Sequence, residues 1–100
     1  MITGCRNMKI EYDPEKRART LETRGLDFES IIEVFEGFYL VRSDDRFDYG
    51  EVRNIMLGAL NDRPVVCVWT QRGDAVRVIS MRMADDEERE IYSRELARSR

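Results

Sequence analysis

The stretch from Val52 to Met83 constrains the fold more than any other part of the chain. It holds three runs of strong β character: Val52 to Leu60, Val65 to Thr70 and Ala75 to Met83. Between them lie Asn61-Asp62-Arg63-Pro64 and the Gly-centred Gln71 to Asp74, both rich in residues that turn a chain. Links this short join antiparallel neighbours, because a parallel pair needs a crossover of a dozen or so residues. The spacing therefore predicts an antiparallel meander. Alternation along its middle strand puts Val65, Cys67 and Trp69 on one face and Val66, Val68 and Thr70 on the other.

The rest of the chain supplies layers for that sheet. Met8, Ile10 and Tyr12 alternate with Lys9 and Glu11, a short strand pattern. Asp13-Pro14-Glu15 opens a helix, with a capping carboxylate, proline at the first helical position and acid in the first turn. The helix runs to about Arg24 and ends at Gly25, and its apolar side (Ala18, Leu21) is thin enough to leave it largely exposed. Asp27 caps a second helix with a stripe of Phe28, Ile31, Ile32 and Phe35 that should cover the meander. Gly37 ends it, Phe38 to Val41 reads as a strand, and Ser43 to Gly50 as a polar loop. Asp85 to Ser99 forms a last helix, with Asp85 and Glu88 at capping-box spacing and Ile91, Tyr92 and Leu96 on its inner side. The result is an α+β domain over residues 8–99. It is an antiparallel sheet of about four strands packed with two N-terminal helices and a C-terminal helix. Residues 1–7 read as a leader, and Met8 as an alternative start.

A chain of 100 residues makes one domain, and 42% hydrophobic residues suffice for a core. Charge is abundant at 37% but nearly balanced, net −3, so a wholly disordered chain is not expected. No apolar run approaches the roughly 18 residues of a membrane helix, and the N-terminus has no apolar signal core. The expected setting is cytoplasmic, without membrane contact. Two cysteines without histidine make neither a disulfide scaffold nor a common zinc site, and neither metal nor cofactor is expected. The lack of histidine also removes Ser-His-Asp, Cys-His and paired-histidine mechanisms. A general acid or base must be a carboxylate, a tyrosine, a lysine or water.

Arginine outnumbers lysine 15 to 2. A planar fork with permanent charge suits phosphate, although a GC-rich genome also favours arginine codons. Position is more telling than count. Residues 42–82 hold seven arginines and sum to +1, whereas the flanks, 1–41 and 83–100, each sum to −2.

Three blocks, in order and at compatible spacing, resemble the BrnT family of bacterial type II toxins. "EYDPEKRARTLETRGLDFESIIEVF" resembles the family's F-x-W-D-P-x-K start, its helix ending in Lys-His-Gly (here Thr23-Arg24-Gly25) and its F-E-x-A-x-x-V-F helix. "DDRFDYGEVRNIMLG" resembles its D-x-R-x-D-Y-G-E-x-R block through Asp45, Arg46, Asp48, Tyr49, Gly50, Glu51 and Arg53. "VVCVWTQRGDAVRVISMRMADDEEREIY" resembles its closing block through Thr70, Arg72, Arg77, Ile79, Ser80, Arg82, Ala84 and Tyr92. The resemblance implies a RelE-like ribonuclease toxin that inhibits translation and cleaves RNA without metal. It implies a BrnA-like ribbon-helix-helix antitoxin as partner, operator DNA reached only through that antitoxin, and a homodimer or a heterotetramer with it. The alternative is a domain of weakened catalysis that mainly docks an antitoxin.

On that footing the candidate catalytic residues are Arg82, Arg53, Arg77 and Tyr92. Arg72, Arg46, Arg24 and Lys16 are candidates for binding RNA. Strict alternation sets Arg82 on one face with Ser80, Val78 and Val76, and Arg77 on the other with Ile79 and Met81. Only a bulge or a strand end would let one site use both. Arg82 is the first choice for holding a phosphate, and Arg77 is expected to pair with Glu51 or Asp48. Glu51 and Asp48 stand open between general base and ion pair with Arg46 or Arg53. Tyr92 stands open between base stacking or proton transfer and core, Trp69 reads as core or a partner-binding contact, and Cys67 reads as core.

Overall fold

The structure, a computed structural model, describes residues 8–46 and 48–100. The expected leader lies outside them. Five strands form a single sheet: β1 (Lys9–Glu11), β2 (Leu40–Ser43), β3 (Arg53–Leu60), β4 (Arg63–Arg72) and β5 (Ala75–Met83), in the order β1-β5-β4-β3-β2. The helices are α1 (Pro14–Arg24), α2 (Ile31–Glu36) and α3 (Asp86–Arg98), with a 3₁₀ turn, Phe28–Ser30, leading into α2. The meander β3-β4-β5 is antiparallel as expected. The fifth strand is β1, which joins the edge of β5 in parallel.

Local chemistry sets the boundaries. Asn61 and Asp62 both take positive φ, 53° and 65°, the conformation that a two-residue hairpin requires and that Asn and Asp tolerate. The β3–β4 turn is thus these two residues alone. Pro64, expected in the turn, lies in β4 opposite Ala59, next to the strand end where proline's missing N–H costs little. Asp13 caps α1 by accepting from Glu15 N, and Gly25 at φ 69° ends it. Both halves of the Asp85/Glu88 capping box form at α3. The strand expected at Phe38–Val41 lies two residues later, at Leu40–Ser43, where its register with Asn54–Leu57 is set.

Helices cover one sheet face and part of the other. The larger core joins Phe28, Ile31 and Val34 to Met56, Val65, Cys67, Val78 and Met81. The buried stripe therefore runs through Val34, with Ile32 only half-buried. The cause is the 3₁₀ turn: its period of three residues brings 28, 31 and 34 onto one side. Phe35 is half-buried, edge-on to Trp69 with ring centroids 5.2 Å apart. α1 buries no residue, as its thin apolar side predicts. Arg17 holds it by a two-point pair with Asp27, at 2.8 and 3.0 Å. Arg24 donates to Met81 O at 2.8 Å, beyond the last β1 pairing on β5. Cys67 is fully buried, and burial pushes its thiol up to about 12.

Gly58 is where α2 closes on β3. A Cβ there would lie 2.5 Å from Val34 Cγ1 and 3.3 Å from Tyr39 Cβ. Gly58→Ala should cost about 1–3 kcal/mol, the usual penalty for overpacking. Chemical denaturation checks this, and a loss below about 0.5 kcal/mol, the size of a neutral surface change, would contradict the close approach.

Candidate active site

The second sheet face carries the arginines. Residues directly opposite in an antiparallel ladder share a face, which here gives three rows. Arg53, Thr70 and Arg77 form the first, Ile55, Val68 and Ser80 the second, and Leu57, Val66 and Arg82 the third. Val68 pairs with Ser80 but Trp69 pairs with Val78, so Ile79 is an extra residue, a β-bulge. The bulge reverses the alternation in β5. Arg77 and Arg82 consequently share a face, contrary to the expectation from strict alternation. They lie far apart on it, since the first and third rows are separated by four residues of strand, roughly 13 Å.

The two arginines differ in their partners, and in the opposite sense to expectation. Arg82 donates from both terminal nitrogens to Glu88, at 2.8 and 2.9 Å, and to Met83 O at 3.3 Å. Arg77 has no ion-pair or side-chain hydrogen-bond partner among the described residues, although it is half-buried. Glu51, one expected partner, turns instead to Arg53 (3.2 Å from Nε) and Arg72 (3.6 Å). Asp48 accepts from Gly50 N at 3.0 Å. One end of the sheet thus gathers Arg53, Arg72 and Glu51, with Arg77 across Thr70 from Arg53. Thr70 is itself buried and donates to Val52 O at 2.7 Å.

The remaining candidates fall elsewhere. Arg46 makes a two-point pair with Asp44, at 2.8 and 2.9 Å. Tyr92 is buried, and its hydroxyl donates to Phe38 O at 3.0 Å, which pins α3 to the segment before β2. Lys16 and Arg24 meet in a cleft of about 250 Å³ between α1 and β5, together with Arg19, Thr23 and Ser80. Asp44 is the site residue that sequence reading passed over, because one aspartate among three in a polar loop gives no sign of burial. Its spacing to Arg46 was the available signal, since Asp side chains bond the backbone two residues on, as Asp44 does to Arg46 N at 3.2 Å. Among the described residues no group of three or more carboxylate or thiol side chains is placed to hold a metal ion. No helix among them is long and apolar enough to cross a membrane.

The Arg82–Glu88 pair secures the start of α3. Glu88 Oε1 also accepts from Asp85 N, closing the cap. The guanidinium of Arg82 holds the Glu88 carboxyl down at about 2, from an ordinary value of 4.5. A carboxyl depressed by folding contributes stability above its unfolded value and loses it as pH falls through the folded one. Solvent on the half-exposed Arg82 screens the pair, so the effect is modest. Between pH 4.5 and 2 the wild type should lose more stability than Glu88→Gln. Urea midpoints measured across that window decide it, and parallel losses would show that the pair does not stabilise the fold.

This is a small α+β domain that presents strand-borne guanidinium groups at one end of its sheet, the kind of surface that grips phosphate. The chain belongs to the BrnT toxin family, "Ribonuclease toxin, BrnT, of type II toxin-antitoxin system", whose model matches residues 12–88. It is similar to the 1.1 Å crystal structure of the Brucella abortus ribonuclease toxin BrnT, at 28% sequence identity and a TM-score of 0.60. That likeness covers 79% of this chain and 99% of the other. No curated protein sequence matches. The α+β class and the family resemblance are both borne out, and membership of a type II toxin family implies an antitoxin partner.

Proposed function

We propose that this protein is an active ribonuclease toxin. In this reading it cleaves RNA without metal, inhibits translation in the cytoplasm and is neutralised by a ribbon-helix-helix antitoxin through which alone it reaches operator DNA. The observation that carries the reading is Arg77, without a side-chain partner among the described residues, beside the Arg53–Glu51–Arg72 group.

In such a cleavage the 2′-oxygen attacks its neighbouring phosphorus. The 2′-proton must leave, a dianionic phosphorane must be stabilised, and the departing 5′-oxygen must take a proton. Donors already aimed at the developing charge usually supply the largest share of the acceleration. At this end of the sheet Arg77 is a guanidinium that phosphate can engage without breaking a pair formed among the described residues, and its strand holds it more rigidly than a loop would. Arg53 and Arg72 add positive charge at the same sheet end, and Glu51 between them is the carboxylate in position to accept the 2′-proton. Water protonates the leaving oxygen. Lys16 and Arg24, in the α1–β5 cleft, carry the strand away from the site along β5. Arg82 and Tyr92 serve by holding α3, and Arg46 by shaping its loop. The competing reading, a docking module of weakened catalysis, draws on Arg24: it stands where the Lys-His-Gly pattern of the resemblance has histidine, and it donates to Met81 O.

Expression from a tightly repressed promoter, without antitoxin, tests the reading. Growth should stop, and the purified protein should cut RNA in the presence of EDTA to leave 2′,3′-cyclic phosphate ends. Intact RNA and normal growth would sink the enzyme reading and leave the docking module. Light scattering on the complex with the neighbouring gene product would show whether it is a heterotetramer.

A further inference from the structure

Arg46, Tyr49 and Arg53 are gathered around one carboxylate, Asp44, that none of this chemistry uses. The Asp44 side chain is 2% exposed. It accepts from Arg46 N, from both Arg46 side-chain donors and, at 3.1 Å, from the Tyr49 hydroxyl. Its own backbone N–H donates to Arg53 O at 2.8 Å, closing the loop at its base. The Tyr49 ring lies under the Arg53 guanidinium, with Cζ 3.9 Å from the ring centroid. A continuous path thus runs from a buried acid through a phenol to a guanidinium that also pairs with Glu51. A planar cation held over a ring face keeps its direction better than one paired at the surface, and a buried acid is a firmer anchor than an exposed one.

We propose that Asp44 is a positioning residue for the RNA-cleaving site, acting through Tyr49 to aim the Arg53 guanidinium. Its catalytic consequence rests on the ribonuclease reading above; the aiming of Arg53 does not. The folded environment supports the proposal by keeping the acid ionised, since the Arg46 guanidinium, with help from the Tyr49 hydroxyl, holds its carboxyl well below the usual range. Asn at this position keeps the shape but loses the charge and turns one acceptor into a donor, so it cannot accept from Arg46 N, Nε and Nη2 and the Tyr49 hydroxyl together.

Two readouts on the full-length protein test this. The first is cleavage of an RNA oligonucleotide, analysed as kcat and KM. The second is the proton shift of the Arg53 Nε–H, which the Tyr49 ring current displaces. Asp44→Asn should lower kcat by roughly 10- to 100-fold, as small misplacements in a site do, and leave KM nearly unchanged. It should also move the Arg53 signal towards that of an unstacked arginine. Tyr49→Phe, which keeps the ring and loses only the hydroxyl, should act in the same direction, and the double variant should lose no more than Asp44→Asn. An Arg53 signal unmoved in both variants overturns the proposal, as does a double variant whose losses multiply. If Asp44→Asn fails to fold, Tyr49→Phe alone decides by the same two readouts. If the wild type cleaves no RNA, the ribonuclease reading fails, and the Arg53 signal still decides whether Asp44 aims that side chain.

Discussion

Arg77→Ala should reduce RNA cleavage by about 10²–10³-fold, the usual cost of one preorganised donor to a developing oxyanion. It should abolish growth arrest and leave the melting temperature essentially unchanged. The two expectations belong together. A half-buried guanidinium with no side-chain partner among the described residues adds no ion pair to stability, so its loss should appear in activity. Arg77→Lys should restore little, because a point charge does not reproduce a planar two-point donor. Arg82→Ala supplies the contrast. It breaks the pair with Glu88 at the α3 cap and should lower stability before it lowers turnover. Cleavage assays and melts on the same preparations separate the two arginines. If Arg82→Ala loses as much activity as Arg77→Ala while its melting temperature holds, the phosphate belongs at the other end of the sheet face.

Phe28→Ala should destabilise the protein by about 3–5 kcal/mol, through lost burial and the cavity left behind. Phe28 is 1% exposed, sits at the centre of the larger core and meets the edge of the Tyr12 ring at 6.1 Å. For a domain of this size each kcal/mol shifts the melting temperature by about 4–8 °C, so the fall should be at least about 12 °C. Against a total stability of roughly 5–15 kcal/mol, much of the folded population is at stake. Leu21→Ala is the control: Leu21 is exposed on α1, which buries nothing, and its change should stay within about 0.5 kcal/mol. Thermal melts of the two variants check both figures. A fall of only a few degrees for Phe28→Ala would mean that the core collapses around the gap.

The sequence by itself determined the meander, the caps and the class of fold. Asp13, Gly25, Asp27 and the Asp85/Glu88 box are local signals, satisfied by neighbours in the chain. The alternation of β4 and the short turns are likewise local, so both could be read from spacing. Tertiary structure alone decided the functional face. A bulge at Ile79 leaves no mark in the residue pattern, yet it reverses every side chain on one side of it and brings Arg77 round to the face of Arg53. The phase of the Phe28–Val34 stripe was decided the same way, by a 3₁₀ turn that a helical period of 3.6 does not anticipate. Ion pairing was decided last, because charges far apart in the chain choose partners only once the strands are in register. The sequence left Glu51 with Arg46, Arg53 and Arg77 as candidate partners, and the sheet gave it Arg53 together with Arg72. Which arginines at that end of the sheet are paired, and which can meet a phosphate, is therefore a property of the fold, and composition could show only that arginine was abundant.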